Sequence, residues 1–383
     1  MGYKKVISSD SHVVEPPYLW EQRMDRGKWG DAIPELRRGG KDDPTDWWYF
    51  DNVKFGPTGN IAGAGKRFTS PEEIIQAGVF DNVRPGGFIP EDHVKDMELD
   101  GIWGGVVYPS TGLPLYGMEN NDLLRDVFSA YNDWLAEFCS AAPSRLKGIA
   151  EILLDEGIDQ GIAEMRRAKE IGLAGVMISS YPRAGQSYDL PMYDPFWAAA
   201  EEIDIPVTLH VTTNRPGNKL VNNFNDFTIR EGKLAQSGAD RCNHDYFVRM
   251  DLAQMIYVGV FERYPKLKVV EAEHELAWLP YFIRRMDTNY KERHENIPYR
   301  FKGDTLPSDF MRNNVLHSFQ EDDLGIQMRD FIGVDTLMWG SDYPHAESTF
   351  PESQRILSEI LQGVPQDEQD MIVGGNCAKL YGF

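Results

Sequence analysis

The chain is short of cysteine. Its 383 residues hold three, Cys139, Cys242 and Cys377, odd in number and far apart. That spacing argues against a disulfide framework and against a C-x-x-C metal site, and it suits a reducing, cytoplasmic setting. Long apolar runs are missing too. No window approaches the 18 uninterrupted apolar residues of a membrane span, and MGYKKVISSD carries no signal-peptide core. The same segment lacks the Ser or Thr that a myristoylation site wants at position six. Basic residues are outnumbered, 39 Lys and Arg against 60 Asp and Glu, for a net charge of −21. So acidic a surface repels nucleic acid phosphates and anionic membranes, which leaves a small molecule as the expected partner. Internal repeats and low-complexity tracts are absent, and no G-x-G-x-x-G follows the first apolar run.

What is present is an alternation of short apolar runs and longer helical patterns. Strands are expected at Lys5–Ser9, Gly104–Pro109, Leu146–Leu154, Gly175–Ser180, Pro206–Thr212, Lys268–Glu273, Val315–Phe319 and Leu337–Ser341. Helices are expected at Asn121–Ala141, Ile158–Ile171, Pro195–Ile203, Tyr246–Tyr264 and Glu352–Leu361. Eight strands mostly in β-then-α order imply an α/β fold with a parallel sheet, which closes naturally into a (β/α)8 (TIM) barrel. The whole chain reads as one such domain. An open doubly wound sheet is the alternative, without its glycine fingerprint.

Residues 15–90 break the rhythm. GKDDPTDWWYF, GPTGNIAGAG and NVRPGGF are rich in turn formers and poor in periodicity. We read them as an irregular insertion after the first strand, on the face where barrel active sites form. Trp47, Trp48, Tyr49, Phe50 and Phe55 suit either a lid or subunit contact, or a small core of the insertion's own. The chain is expected to form a homo-oligomer or to pair with a homologous subunit.

Ionisable residues recur at the strand ends. In SSDSHVVEP, Asp10 and His12 stand two apart and share a face if the strand continues that far. His210 lies in the apolar PVTLHVT, where a buried ring needs a partner, either a backbone carbonyl or a ligand. KVVEAE ends in Glu273 and His274. Alternation turns either the odd set (Glu271, Glu273, Glu275) or the even one into the mouth, so it admits one of these two unless the strand end twists; in the plainer reading Glu271 and Glu275 face solvent. Asp342, in WGSDYPH, is either a turn residue or a mouth residue beside the first strand. Together Asp10, His12, His210 and Asp342 form a nitrogen and oxygen set that suits Zn²⁺, Mn²⁺ or Fe²⁺. His93, His244 and His294 read as helix or loop surface residues. His317, in VLHSF, is either a supporting partner or core. Arg215, just past TTN, is either a substrate-carboxylate partner or a surface arginine.

Five stretches carry a resemblance over nearly the whole chain: SSDSHVVEP, TLHVTTN, YPKLKVVEAEHELAWLPYFIRRMD, WGSDYPHAESTFP and GGNCAKLYGF. On them the chain resembles the amidohydrolase superfamily, specifically the amidohydrolase-2 type related to aminocarboxymuconate-semialdehyde and resorcylate decarboxylases. The resemblance implies a distorted eight-stranded barrel with a divalent metal at its mouth. Asp10 and His12 would stand as the first-strand pair, His210 as the fifth-strand histidine and Asp342 as the eighth-strand aspartate. The sixth-strand catalytic position would fall on Glu273 or His274. The first pair is Asp-x-His where many members have His-x-His, and EAEHE replaces a histidine followed by glycines. GVMISS lacks the carboxylated lysine of binuclear hydrolases.

The resemblance implies a hydrolase or a decarboxylase acting on a small carboxylated, aromatic or apolar-bodied substrate. In hydrolysis, metal-bound water would attack while Asp342 takes the proton and His274 or Glu273 acts on the substrate. In decarboxylation, the metal would hold substrate oxygens and the same acid–base group would protonate the carbon. A third possibility is a dinuclear non-haem iron oxygenase, with a second metal on Glu15, Glu273, His274 and His345. His345 is also a substrate-binding candidate. A non-catalytic scaffold subunit is the rival from another class.

Overall fold

The computed structural model describes residues 3, 5–59, 63–74, 78–216 and 242–383, with the backbone alone of 228–230 and 233–235. Eight parallel strands run in chain order: β1 (Val6–His12), β2 (Ile102–Tyr108), β3 (Leu146–Glu151), β4 (Gly175–Ile178), β5 (Val207–His210), β6 (Val269–Ala272), β7 (Val315–Phe319) and β8 (Leu337–Trp339). Each pairs with its sequence neighbour. The ring closes just past β8, where Ser11 bridges Tyr343 in parallel. There the amides of Ser341 and Asp342 both donate to the Asp10 carbonyl, at 3.1 and 2.8 Å. The amide of His12 donates to the Tyr343 carbonyl at 2.6 Å. The expected closed barrel is therefore the observed one.

Helices pack around the ring, among them α1 (Pro90–Leu99), α2 (Asn121–Ser140), α3 (Ile158–Glu170), α4 (Asp194–Glu202), α5 (Asp245–Tyr257), α6 (Leu279–Glu292) and α7 (Ser353–Ile360). The apolar stripe of α2, from Leu124 through Val127, Tyr131 and Leu135 to Phe138, is buried as its spacing requires. Among the described residues no helix is long and apolar enough to cross a membrane.

Three expectations need correction. The helix expected over Tyr246–Tyr264 is two, α5 and a short turn at Val260–Arg263, parted at Gly259. Gly259 has φ +75°, and a Cβ there would meet the Tyr299 ring at 2.3 Å, so only glycine ends the helix this way.

The region 15–90 is less irregular than its composition implies. Glu35–Arg37, Trp47–Phe50 and Val53–Pro57 form an antiparallel sheet. Alternation turns Trp48 and Phe50 inward, where both rings meet Trp20 edge-on at 5.3 and 5.6 Å. Burying such rings contributes about 1.5–3 kcal/mol each and gathers the insertion around Trp20, whose Nε1 donates to the Val127 carbonyl of α2 at 3.1 Å. Trp47 and Tyr49 face outward under Lys54 and Arg37.

His93, expected on a surface, is fully buried in α1. Its Nδ1 lies 2.8 Å from the Gly86 carbonyl, and its ring packs edge-on against Phe138 and Tyr343. Burial pushes this imidazole down from 6.5 to about 4. The unfolded chain titrates at the ordinary value, so stability is lost as the pH falls from 6.5 towards 4. His93→Gln should lessen the drop in unfolding free energy between about pH 7 and about pH 5 by on the order of 2 kcal/mol, read from urea midpoints. Parallel pH profiles for variant and wild type would exclude His93 as a source of acid lability.

Candidate metal centre

Four side chains from the two ends and the middle of the chain meet at the C-terminal end of the barrel. Asp10 and His12 close β1, which runs three residues further than its apolar pattern indicates and so keeps both on one face. His210 is the last residue of β5. Asp342 follows β8 in the left-handed region, with φ +58°, a turn that aims its carboxyl back across the mouth. His12 Nε2 lies 3.1 Å from Asp10 Oδ1 and 3.3 Å from Asp342 Oδ1. His210 Nε2 lies 3.5 Å from Asp10 Oδ1.

The outer nitrogens of both rings are committed elsewhere. His12 Nδ1 donates to the Pro109 carbonyl at 2.7 Å, and His210 Nδ1 donates to the Val211 carbonyl at 3.0 Å. A carbonyl only accepts, so Nδ1 carries the proton in each ring and Nε2 is left as a bare lone pair in the neutral form. Asp10 Oδ1, His12 Nε2, His210 Nε2 and Asp342 Oδ2 are all buried without a hydrogen-bond partner. Among the described residues no donor reaches these acceptors, the arrangement a cation requires. The residues present therefore fit the divalent metal that the resemblance implies.

Two ligand groups can be drawn among the described residues: Asp10, His12, His210 and Glu273, and His12, Asp342 and His345. They share His12, whose Nε2 has one lone pair to give.

Hydrogen-bond directions also locate a proton. Ser110 Oγ lies 2.6 Å from the Val13 carbonyl, which cannot donate, so the hydroxyl hydrogen points there. His345 Nε2, 2.8 Å from the same Oγ, must then donate to it. His345 Nδ1 sits 2.7 Å from Asp342 Oδ1, a contact that needs one proton between the two. Burial pushes Asp342 well above the carboxylate range; His12 opposes this, and Asp10 and Glu347 add to it. Burial pushes His345 down to about 4. The two groups share that one proton, and burial disfavours a charge on either of them.

The sixth strand does not choose between its two candidates. β6 stops at Ala272, and Glu273 adopts φ +64°. That break in alternation brings Glu273 Oε2 to 3.8 Å from His210 Nε2 while the next residue, His274, stays buried. His274 Nδ1 lies 3.1 Å from Glu271 Oε2, and its Nε2 is buried without a hydrogen-bond partner. Burial pushes this imidazole well down, with His210 and His244 adding to the effect.

Several placements depart from expectation. Glu271, expected in solvent, is fully buried and also meets His317 Nδ1 at 3.0 Å; with His274 and His317 on either side its carboxyl has polar partners inside the barrel. Glu275 is half-buried and accepts the amides of Gln320 and Glu321, which burial accompanies with a rise to about 7. His244, expected on the surface, is half-buried at the start of α5; His294 is exposed. Glu15 is not drawn to the metal group. Its two oxygens accept the amides of Thr111 and Gly112 at 2.8 Å and pin the loop after β2. Both nitrogens of His345 are engaged, so it acts on anything in the mouth through Asp342. Ser110 and Glu271 were missed by sequence reasoning; a charged residue inside KVVEAE was the available signal for Glu271.

Arg215 is neither a surface residue nor open to substrate. It is 1% exposed. Its Nε donates to Asp155 Oδ2 at 2.8 Å, its Nη1 to the carbonyls of Tyr116 and Met118, and its Nη2 to Asn121. Arg183 meets the same Asp155 oxygen, so the pair ties together the loops after β2, β3, β4 and β5. Removing one partner of a buried ion pair costs about 3–5 kcal/mol. Arg215→Met should lower the unfolding free energy by roughly that amount, measured in urea. An unchanged midpoint together with a raised KM would return Arg215 to substrate binding.

Comparison with known proteins adds to this geometry. The amidohydrolase family profile matches residues 107–383, which leaves Asp10 and His12 outside it. The gamma-resorcylate decarboxylase of Rhizobium sp. (strain MTP-10005) is 24% identical over 223 residues, 56% of this chain and 64% of that relative, so under two thirds of the relative is spanned. Among solved structures, an amidohydrolase from Mycobacterium avium subsp. paratuberculosis superposes with TM-score 0.76 over 99% of both chains at 23% identity. The 5-carboxyvanillate decarboxylase of Novosphingobium aromaticivorans, complexed with manganese and 4-hydroxy-3-methoxy-5-nitrobenzoic acid, superposes with TM-score 0.68 over 99% of this chain and 96% of that one, at 19% identity. With well over half of its residues matching that profile, the chain belongs to the amidohydrolase family.

Proposed function

We propose that the protein is a metal-dependent decarboxylase of a small hydroxylated aromatic carboxylic acid. The observation that carries this is the proton between Asp342 and His345, set beside four buried acceptors that need a cation. Hydrolysis would ask the Asp342–His345 pair to take a proton from water, and a pair that already shares one is a poorer base than a free carboxylate. Protonation of carbon asks it to give one up.

Asp10, His12, His210 and Asp342 would hold one divalent ion, manganese in the first instance, and that ion supplies an electrophile for the oxygens of the substrate. The chain's own residues do the rest. His345 keeps the shared proton beside Asp342, and Ser110 fixes the ring by accepting from Nε2. As the bond between ring carbon and carboxyl carbon breaks, its electron pair stays on the ring carbon, which takes the proton, and CO₂ leaves. His274 presents Nε2 to hydrogen-bond a ring hydroxyl. The aromatic substrate class and manganese draw support from the relatives named above. The shared His12 supports one ion over two.

Two measurements test this. In ²H₂O with added manganese, a panel of hydroxybenzoic acids should include one that releases CO₂ with one deuterium placed on the carbon that bore the carboxyl. Release of an amine or alcohol from an amide or ester panel, with no CO₂, would replace decarboxylation by hydrolysis. His210→Ala should lower bound manganese at least about ten-fold, by elemental analysis, while far-UV circular dichroism is kept. Full metal occupancy in that variant would take His210 out of the ligand set.

A further inference from the structure

Glu273 has a position that the decarboxylation scheme does not use. Its carboxylate belongs to the same group of donors as Asp10, His12 and His210, all within 4.8 Å of one another. It reaches them through a left-handed backbone, φ +64°, which costs a non-glycine residue roughly 1–2 kcal/mol. A regular strand would have sent this side chain the way of Glu271, towards His317. The fold therefore sustains a strained residue whose effect is to bring a third carboxylate to the cation.

Glu273 also differs from its companions. The side chains of His12 and His210 are fully buried, and those of Asp10 and Asp342 are 5% and 2% exposed. That of Glu273 is 23% exposed, and it lies furthest out, 3.8 Å from His210 Nε2. It stands on the solvent side of the centre, where a substrate must approach.

Resting on the metal-dependent scheme above, we propose that Glu273 is a fifth, displaceable ligand that gives up its place to the carboxylate or ring oxygen of the substrate. Charge supports an exchange. Three carboxylates are balanced by a dication and the proton shared with His345. A substrate anion added on top would leave one net negative charge in a buried site, whereas a swap of one carboxylate for another leaves the balance unchanged. The exposed, strained carboxylate is the member of the set best able to move.

The test uses the full-length manganese-loaded protein without turnover. A six-coordinate Mn²⁺ with five protein ligands keeps one water, and with four it keeps two. Electron-nuclear double resonance in ¹⁷O-water should count one exchangeable water in the wild type and two in Glu273→Gln. The manganese Kd of that variant should rise about ten-fold or more, and Glu273→Asp should restore part of it. Adding 4-hydroxy-3-methoxy-5-nitrobenzoic acid, whose nitro group cannot leave as CO₂, should change the wild-type manganese spectrum as one protein carboxylate leaves the ion, and should leave the spectrum of Glu273→Gln without that loss. Two waters in the wild type, or an unaltered Kd in Glu273→Gln, overturns the proposal. The wild-type water count decides the matter even where the variant folds poorly. If the wild type binds manganese with one water yet decarboxylates no acid in the panel, the assigned reaction fails and the fifth ligand stands.

Discussion

The structure turns on four lone pairs that have nowhere else to go. Asp10 Oδ1, His12 Nε2, His210 Nε2 and Asp342 Oδ2 are buried, they face one another, and among the described residues no donor reaches them. Leaving such atoms unpaired costs on the order of 1–3 kcal/mol each, more where charge is involved. The barrel accepts that cost by fixing the opposite side of each ring to a main-chain carbonyl, which prevents the imidazoles from turning away. A site so arranged is complete when a cation occupies its centre, and the fold is built to wait for one.

The same bonds that close the barrel assemble this centre. Asp10 and Asp342 lie at opposite ends of the chain, yet their main chains are joined directly, the Asp342 amide donating to the Asp10 carbonyl at 2.8 Å. The left-handed turn at Asp342 is what lets one residue both close the ring and aim its carboxyl inward. Left-handed residues recur at Thr212 after β5 and at Glu273 after β6. Three strands that carry or adjoin the site thus leave regular geometry at the same level of the barrel. Around them the loops are held by buried polar anchors, Glu15 on the loop after β2 and Arg215 with Asp155 across four loops. A rigid support of this kind suits chemistry that depends on where one proton sits.

Much of this was legible from residue order. The eight strands, their parallel arrangement and the closed ring follow from apolar runs alternating with helical periods. The pairing of Asp10 with His12 follows from a two-residue period. Less legible were the places where a local rule fails. Apolar patterning ended β1 at Ser9, because Asp10 and His12 are polar, whereas the strand continues through them on the strength of pairing with β2. Composition described residues 15–90 as irregular, because Gly and Pro dominate it, whereas Trp48 and Phe50 find a partner in Trp20. Arg215 looked exposed by residue type and is buried, because Asp155, sixty positions earlier, neutralises it.

Order along the chain determined the fold class, the strand-end positions of the candidate ligands and their oxygen and nitrogen chemistry, since periodicity and residue type are properties of neighbours. Tertiary structure alone decided three things. Glu273 joins Asp10, His12 and His210 while His274 stays buried beside Glu271, through a backbone turn that alternation forbids. His345 and Ser110 hold a proton against Asp342, through hydrogen bonds whose directions exist only once the loops after β2 and β8 meet. The two candidate ligand groups overlap, because His12 belongs to both. Each is a matter of where lone pairs and hydrogens point in space, and no reading of residue order contains that.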